Sequence, residues 1–270
     1  MVKKDALKVH AATSISFTHV ARIKKKHSYE CKTMYVCIAM ANKKEECKEF
    51  FDQLGVEPVF IDPVLKKDID LNALQYLGVI APFKQWKRRA PWPAAPHEFE
   101  IACALSHMKA CQVIAESGAS FGFVFEDDNV ISPSCVSRFK EITKWAERHT
   151  SDFLVLNISP CNSLHTGTGI LTGSQGCTNA LLYSRQGAQF VLKNLLPLES
   201  PIDDWLHLNV PQSYCLHRRI FCQKDSVTVP PWYAWVNPFY CKYEYALNSH
   251  LACVVTFIGA GVCSALYYIW

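Results

Sequence analysis

What the chain lacks narrows its class early. It has thirteen cysteines, yet no two stand three apart, so there is no C-x-x-C pair and no zinc-finger or zinc-ribbon spacing. The nearest pairs are Cys31/Cys37, Cys215/Cys222 and Cys103/Cys111. Cys37, Cys103, Cys111 and Cys253 lie in apolar runs, where cysteine behaves as a small buried hydrophobe. This usage predicts reduced thiols in a reducing compartment, with a disulfide framework as the alternative. Residues 1–32 contain no apolar core of the length a secretory signal needs, so no signal peptide is expected. No internal repeat is visible. The body also lacks clustered basic charge. Residues 1–32 carry eight Lys/Arg against two acids, a net of +6, so the total of +4 leaves about −2 for the rest. A mildly acidic body argues against nucleic acid as the partner, because tracking phosphates needs Lys and Arg grouped on the folded surface.

What is present points to a folded α/β protein. Half of the 270 residues are hydrophobic and 12% are aromatic, enough for a large core in one large domain or two small ones. The basic segment 1–32, with Arg22-Ile23-Lys24-Lys25-Lys26, is either a flexible solvated tail or a targeting or acid-binding element. At the other end, Leu251 to Trp270 is twenty residues without a charge. As a helix it would reach roughly 30 Å, about the thickness of a bilayer's hydrocarbon core. Tyr267, Tyr268 and Trp270 are placed as interfacial aromatics are, and Ala260 and Ser264 form a small-xxx-small pair. A membrane anchor holding the body on the cytosolic side is expected; a buried terminal helix is the alternative.

Between these ends the chain alternates. Met34 to Met40 is a continuous apolar run of the kind that forms a buried parallel strand. Asn42 fits a helix cap with Glu45 three residues on, Phe50, Phe51 and Leu54 share a helical face, and Gly55 ends it. Val59-Phe60-Ile61 is a second strand, completing a βαβ opening. Residues 63–96 are less regular, and Ala90 to Pro96 is a loop because of its prolines. His97 to Ser117 reads as a long helix with Glu98 and Glu100 at its positive end and a core stripe of Ile101, Leu105, Met108 and Ala115. The strand Phe121–Phe125, a helix over Ser137–His149, the strand Asp152–Asn157, a glycine-rich loop Gly167–Gly176, the strand Ala180–Tyr183 and a helix over Gly187–Leu196 follow. The pattern is an α/β sandwich with a mostly parallel sheet, the folded body covering residues 33–245.

The sharpest local feature is Phe123 to Val130, FVFEDDNV. Three adjacent carboxylates follow a strand too apolar to be exposed. Like charges so close need a cation or a proton, and the carboxyl ends of strands in open α/β sheets are where ligands collect. Glu126 and Asp128 are the candidate ligands for a hard divalent ion, Mn²⁺ or Mg²⁺; a solvated acidic turn is the alternative.

Four segments in order add to this. They are Glu100-Ile101-Ala102-Cys103-Ala104-Leu105-Ser106-His107, then Phe125-Glu126-Asp127-Asp128, then Ser184-Arg185-Gln186-Gly187-Ala188, then Pro201-Ile202-Asp203. Together they resemble glycosyltransferase family 25, which includes lipooligosaccharide and collagen galactosyltransferases, over roughly residues 34–231. The resemblance implies a GT-A-type, Rossmann-like fold with a C-terminal hydrophobic helix appended. It implies transfer of a sugar, most often galactose, from a UDP-sugar to a glycan, lipid or protein acceptor with inversion. Mn²⁺ (or Mg²⁺) at Glu126 and Asp128 would hold the donor diphosphate. Asp203, or its neighbour Asp204, stands where the acceptor's base is expected, with a helix cap as the plainer role. Asn42, Lys43, Glu100, Ser106, His107, Asp127, Thr178 and Asn179 are the expected donor-side contacts. For His107 an interior, satisfied imidazole is the alternative; Ser106 can instead bond its own helix. Where the family follows its first strand with an arginine-bearing stretch, this chain has Asn42-Lys43-Lys44, and lysine supplies a point charge rather than a bidentate fork. A membrane-tethered, sugar-binding scaffold without activity is therefore the competing expectation. A phosphohydrolase is a third, without a second acidic cluster to support it. Trp86 and Trp92, near Arg88 and Arg89, are candidates for an acceptor lip. Val229 to Trp235 is either a sugar-stacking cluster or an interfacial belt. The sequon at Asn157 falls in a strand and is expected to stay unmodified.

Overall fold

The computed structural model describes residues 33–87, 95–160, 170–172, 176–216 and 219–224. Its strands are β1 (Thr33–Ile38), β2 (Val59–Ile61), β3 (Phe121–Glu126), β4 (Asn129–Ile131), β5 (Val155–Asn157), β6 (Ile170–Thr172), β7 (Ala180–Ser184), β8 (Ser213–Leu216) and β9 (Phe221–Gln223). Seven of them form one sheet in the order β2-β1-β3-β7-β5-β8-β6, while β4 and β9 pair separately. β1 is parallel to β2 and β3, and β5 is parallel to β8. β7 runs antiparallel between β3 and β5, and β6 antiparallel beside β8. The sheet is thus mostly parallel, as the strand–helix alternation implies. The helices are α1 (Lys44–Leu54), α2 (Leu71–Tyr76), α3 (Glu98–Ser117), α4 (Pro133–Arg148), α5 (Arg185–Asn194) and α6 (Ile202–Asn209).

Strand parity builds the two faces. In β3, Phe121, Phe123 and Phe125 point to one side and pack with Phe51 of α1, Phe139 of α4 and Phe221 of β9. The Phe125 ring lies 5.3 Å from that of Phe51 and 5.2 Å from that of Phe221, both edge-on, the arrangement the ring quadrupoles favour. Val124 points to the other side, into the core made with Ile101, Leu105 and Ile114 of α3, Val191 of α5 and Trp205 of α6. Gly122 shares that side: a Cβ there would stand 2.6 Å from Ile114 Cγ1, so the missing side chain is what lets α3 lie close along β3. Because the period is two, the next residue on the α3 side after Val124 is Glu126.

Several local expectations shift. β1 ends at Ile38, and a 3-10 turn, Ala41–Lys43, precedes α1. Asn42 sits exposed in that turn and its side chain caps nothing; Lys43 is the residue before α1. α4 begins at Pro133 rather than Ser137, because proline is suited to a helix's first position. On α3, Met108 and Ala115 are only half-buried, whereas Ala104, Ser106, His107, Ala110 and Cys111 are buried. A central helix packed by α5, α6 and the sheet buries more than one stripe. Within the expected glycine-rich loop, Ile170–Thr172 adds β6 to the sheet edge, as a short β-prone run can. Trp86 is buried in the core and its indole Nε1 has no hydrogen-bond partner; it is not a lip residue.

The basic segment 1–32, most of the proline-rich loop with Arg88, Arg89 and Trp92, the aromatic cluster at Val229 to Trp235 and the expected anchor at Leu251 to Trp270 lie outside the described residues. The described residues through Cys222 belong to one compact unit. Among the described residues no helix is long and apolar enough to cross a membrane.

Candidate functional site

β3 delivers the acidic triplet at its carboxyl end, and the three carboxylates part company. Glu126, on the α3 side, meets an i, i+4 pair of that helix. Its Oε1 accepts from His107 Nε2 at 3.0 Å and from Thr178 Oγ1 at 2.7 Å, with the Cys103 thiol at 3.8 Å. His107 is fully buried, whereas the Glu126 side chain keeps 22% of its exposure. His107 Nδ1 is buried without a partner, so the bonding pattern assigns the donated proton to Nε2. Burial alone would push the Glu126 carboxyl up, but the bonds and charge from His107, then Thr178 and Cys103, outweigh it and hold it below its ordinary value.

Asp127 points the other way, toward the β1–α1 connection. Its Oδ2 accepts from the Met40 backbone N–H at 3.1 Å, and the Lys43 ammonium stands 3.8 Å from Oδ1. Its own carbonyl takes a long contact, 3.8 Å, from the Cys47 thiol. Lys44, the other lysine of this stretch, turns away to Asp62 at 2.8 Å.

Asp128 has neither arrangement. Its Oδ1 is buried with no hydrogen-bond partner. Burial first, then the charges of Glu126 and Asp127, push its carboxyl up from 3.8 to about 7, against the pull of its own backbone N–H and of Lys43. An unpartnered, crowded carboxylate oxygen beside a partly exposed neighbour is a place where a hard cation gains most.

The turn itself is held rigidly. Asn129 Nδ2 donates to the Glu126 carbonyl at 2.9 Å, and Glu126 N donates to the Asn179 carbonyl at 2.9 Å. Asn179 Nδ2 in turn donates to Asn129 Oδ1 at 2.9 Å and to Ser159 Oγ at 2.8 Å. Asn179 is buried and acts as this brace rather than as a surface contact. Asn157 is fully buried; its amide donates to the carbonyls of Gly176 and Cys177, at 2.7 and 3.0 Å, and its Oδ1 accepts from Ser159 N. The sequon side chain thus fixes the loop that presents Thr178. Cys177, in the left-handed region at φ 54°, is disulfide-bonded. At this cysteine the disulfide alternative holds rather than the expected reduced thiol, while Cys37, Cys47, Cys103, Cys111, Cys135 and Cys215 are free.

The remaining expected contacts divide in the same way. Glu100 accepts from His97 N at 3.0 Å and so closes the start of its own helix. Ser106 donates to Ala102 O at 2.7 Å and accepts from Val64 N at 2.8 Å, pinning the chain after β2 onto α3. Asp203 and Asp204 open α6, where the helix dipole favours acids. Asp203 is half-buried and folds back to accept from Asp204 N at 2.9 Å, while Asp204 is buried. Asp203 is near enough that its charge helps raise the Cys103 thiol, chiefly raised by burial and Glu126. The structure therefore gathers Lys43, Glu126, Asp127, Asp128, His107 and Thr178 at the carboxyl end of β3, with Asp203 near enough to act on Cys103. Asn42 lies exposed beside them, and Glu100, Ser106 and Asn179 serve the framework.

Cys103 is the functional candidate that sequence reading passed over. Its signal was present: Cys103 and His107 are four apart on a helix and so share a face. The thiol, the imidazole and the Glu126 carboxylate place their ligating atoms within 4.8 Å of one another. No protein-family model and no curated protein matches the chain.

Proposed function

We propose that the chain is a metal-dependent glycosyltransferase of GT-A type, moving a sugar, galactose by the family resemblance, from a UDP-sugar to a glycan, lipid or protein acceptor. The observation that carries the reading is Asp128: a buried carboxylate oxygen with no partner, at the carboxyl end of a central strand, in the acidic motif of the resemblance. Asp128, with the Glu126 oxygen that His107 and Thr178 leave open, would hold Mn²⁺ or Mg²⁺. When bound, that ion neutralises the diphosphate of the leaving nucleotide. Three donors favour the charged form of Glu126 and orient its carboxylate. Lys43, held 3.8 Å from Asp127, brings a positive charge to the same end of β3, fit for a donor phosphate. Asp203, half-buried on α6, is the carboxylate suited to accept the acceptor hydroxyl's proton; the buried Asp204 supports the helix start.

The test is turnover of a UDP-sugar panel by the full chain with Mn²⁺. UDP release is expected for one donor, with loss of at least a hundredfold in Asp128→Asn. Release that survives Asp128→Asn unchanged overturns the metal assignment. The tethered sugar-binding scaffold is the second reading, favoured by Lys43 standing, already paired with Asp127, where the family carries arginine. It predicts UDP-sugar binding without release for every donor.

A further inference from the structure

Beyond the transferase reading, and standing without it, the geometry points to a binding site for a borderline, thiophilic divalent cation of the zinc or cobalt class, held by Cys103 Sγ, His107 Nε2 and Glu126 Oε1. The argument begins with separations. A tetrahedral ion bonded to imidazole nitrogen, thiolate sulfur and carboxylate oxygen at ordinary zinc distances sets the N···O edge at about 3.4 Å and the S···O edge at about 3.6 Å. Here those two edges are 3.0 Å and 3.8 Å, each within roughly 0.4 Å of that geometry, and the S···N edge, within 4.8 Å, closes as the ion draws the helix pair together. The ligands come from rigid elements: two are four apart on a twenty-residue helix, and the third ends a strand buried along its length. Thr178 Oγ1, 2.7 Å from Glu126 Oε1 and 3.7 Å from Cys103 Sγ, adds a fourth polar atom. Cys103 and Glu126 are both partly open to solvent while His107 is not, which gives an entry side and a closed side.

The donor set chooses the metal. One sulfur, one imidazole nitrogen and one oxygen suit zinc or cobalt, whereas Mn²⁺ and Mg²⁺ prefer oxygen alone. Binding releases the Cys103 thiol proton to solvent and moves the His107 proton from Nε2 to Nδ1. Nδ1 has no acceptor beside it. A ligating histidine without that outer support binds about 10–100-fold more weakly than one that has it. The ion held here is consequently exchangeable and readily chelated, not one on which folding depends.

Cobalt titration of the full chain in anaerobic buffer without added reductant, which keeps the Cys177 disulfide, tests this. Expected are a sulfur-to-cobalt charge-transfer band and tetrahedral visible bands saturating near one equivalent. Zn²⁺ should displace the ion, and a tenfold excess of Mn²⁺ should not. Cys103→Ser, which keeps size and hydrogen bonding, removes the charge-transfer band; His107→Asn weakens binding at least tenfold; Asp128→Asn leaves both unchanged. No charge-transfer band in the unaltered chain, a band that persists in Cys103→Ser, or displacement by Mn²⁺ overturns the site. X-ray absorption of the zinc-loaded unaltered chain serves independently of any variant's folding. One sulfur with two or three nitrogen or oxygen neighbours is expected, and absence of sulfur sinks the proposal. No UDP release by the unaltered chain for any donor, with its cobalt bands intact, would instead count against the transferase reading alone.

Discussion

Asp128→Asn should stabilise the protein in the absence of ligand, and only above a definite pH. In the folded chain the Asp128 carboxyl is pushed from its ordinary 3.8 to about 7 by burial and by Glu126 and Asp127. The folded state thus binds this proton more tightly than the unfolded state does. Below about pH 4 the group is neutral in both states and costs nothing; from there to about pH 7 stability falls as pH rises, because only unfolding lets the charge reach water. At 1.36 kcal/mol per tenfold in proton affinity, the ceiling is about 4 kcal/mol. The side chain retains some solvent contact, and screening reduces the expected effect to about 2 kcal/mol. Asparagine matches the shape without the charge. In urea or thermal unfolding followed from pH 4 to pH 8, the variant should equal the parent at pH 4. At pH 8 it should exceed the parent by about 2 kcal/mol, or about 4–8 °C in Tm for a domain of this size. Mn²⁺ with UDP should narrow that gap by stabilising only the parent. A variant less stable than the parent at pH 8, or a constant offset across the range, would refute the claim that Asp128 Oδ1 is unpartnered and its charge costly.

Other expectations concern the groups around it. His107→Leu removes the main partner of the Glu126 carboxylate and should lower unfolding free energy by about 2–4 kcal/mol at neutral pH. Since Glu126 is held below its ordinary value, its contribution is present above the unfolded pKa and lost as pH falls. The deficit of His107→Leu, measured by urea midpoints, should therefore shrink in acid. Thr178→Val removes one bond to a charged acceptor and should cost about 1.5–3 kcal/mol; a change under about 0.5 kcal/mol would contradict the contact. Gly187→Ala places a Cβ against the Leu154 carbonyl where α5 meets β5, a backbone clash that should cost about 3 kcal/mol or more. A folded variant with an unchanged midpoint would show that the helix can shift.

The sheet was legible because its strands are short, apolar and bounded by turn residues. Val59–Ile61 and Phe121–Phe125 announce themselves in composition alone. The strands that escaped, β4, β6, β8 and β9, are three or four residues long, too short to carry a period. The long helix was legible in extent but not in packing: a single stripe is the signature of a helix covered on one side, and α3 is covered on several. For the site, the acidic run marked the right place, yet which residues face a ligand depended on partners distant in sequence. Glu100 and Ser106 read as contacts because they stand in the motif. Their bonds to His97 N and Val64 N, invisible in one dimension, assign them to the frame. Cys103 was absorbed into the apolar run because a single period-four pair is weak until a third ligand arrives from another element.

The fate of the acidic triplet turns on parity and on what each face offers. Three adjacent charges were expected to need a compensating cation. The fold answers part of that need itself. Position 126 falls on the α3 side, where imidazole, hydroxyl and thiol converge on one oxygen. Position 127 is taken by a backbone N–H and by Lys43 from the β1–α1 connection. Position 128 comes after both sources are used, and nothing in the described chain donates to its buried Oδ1. Had the triplet been a solvated turn, all three groups would project into water with ordinary affinities for protons. Instead two are neutralised from within and the third is left raised and crowded. A framework that satisfies two carboxylates and strands the third is arranged to receive positive charge from outside at that one position. Asp128→Asn is therefore the substitution at which stability and ligand binding should move in opposite directions.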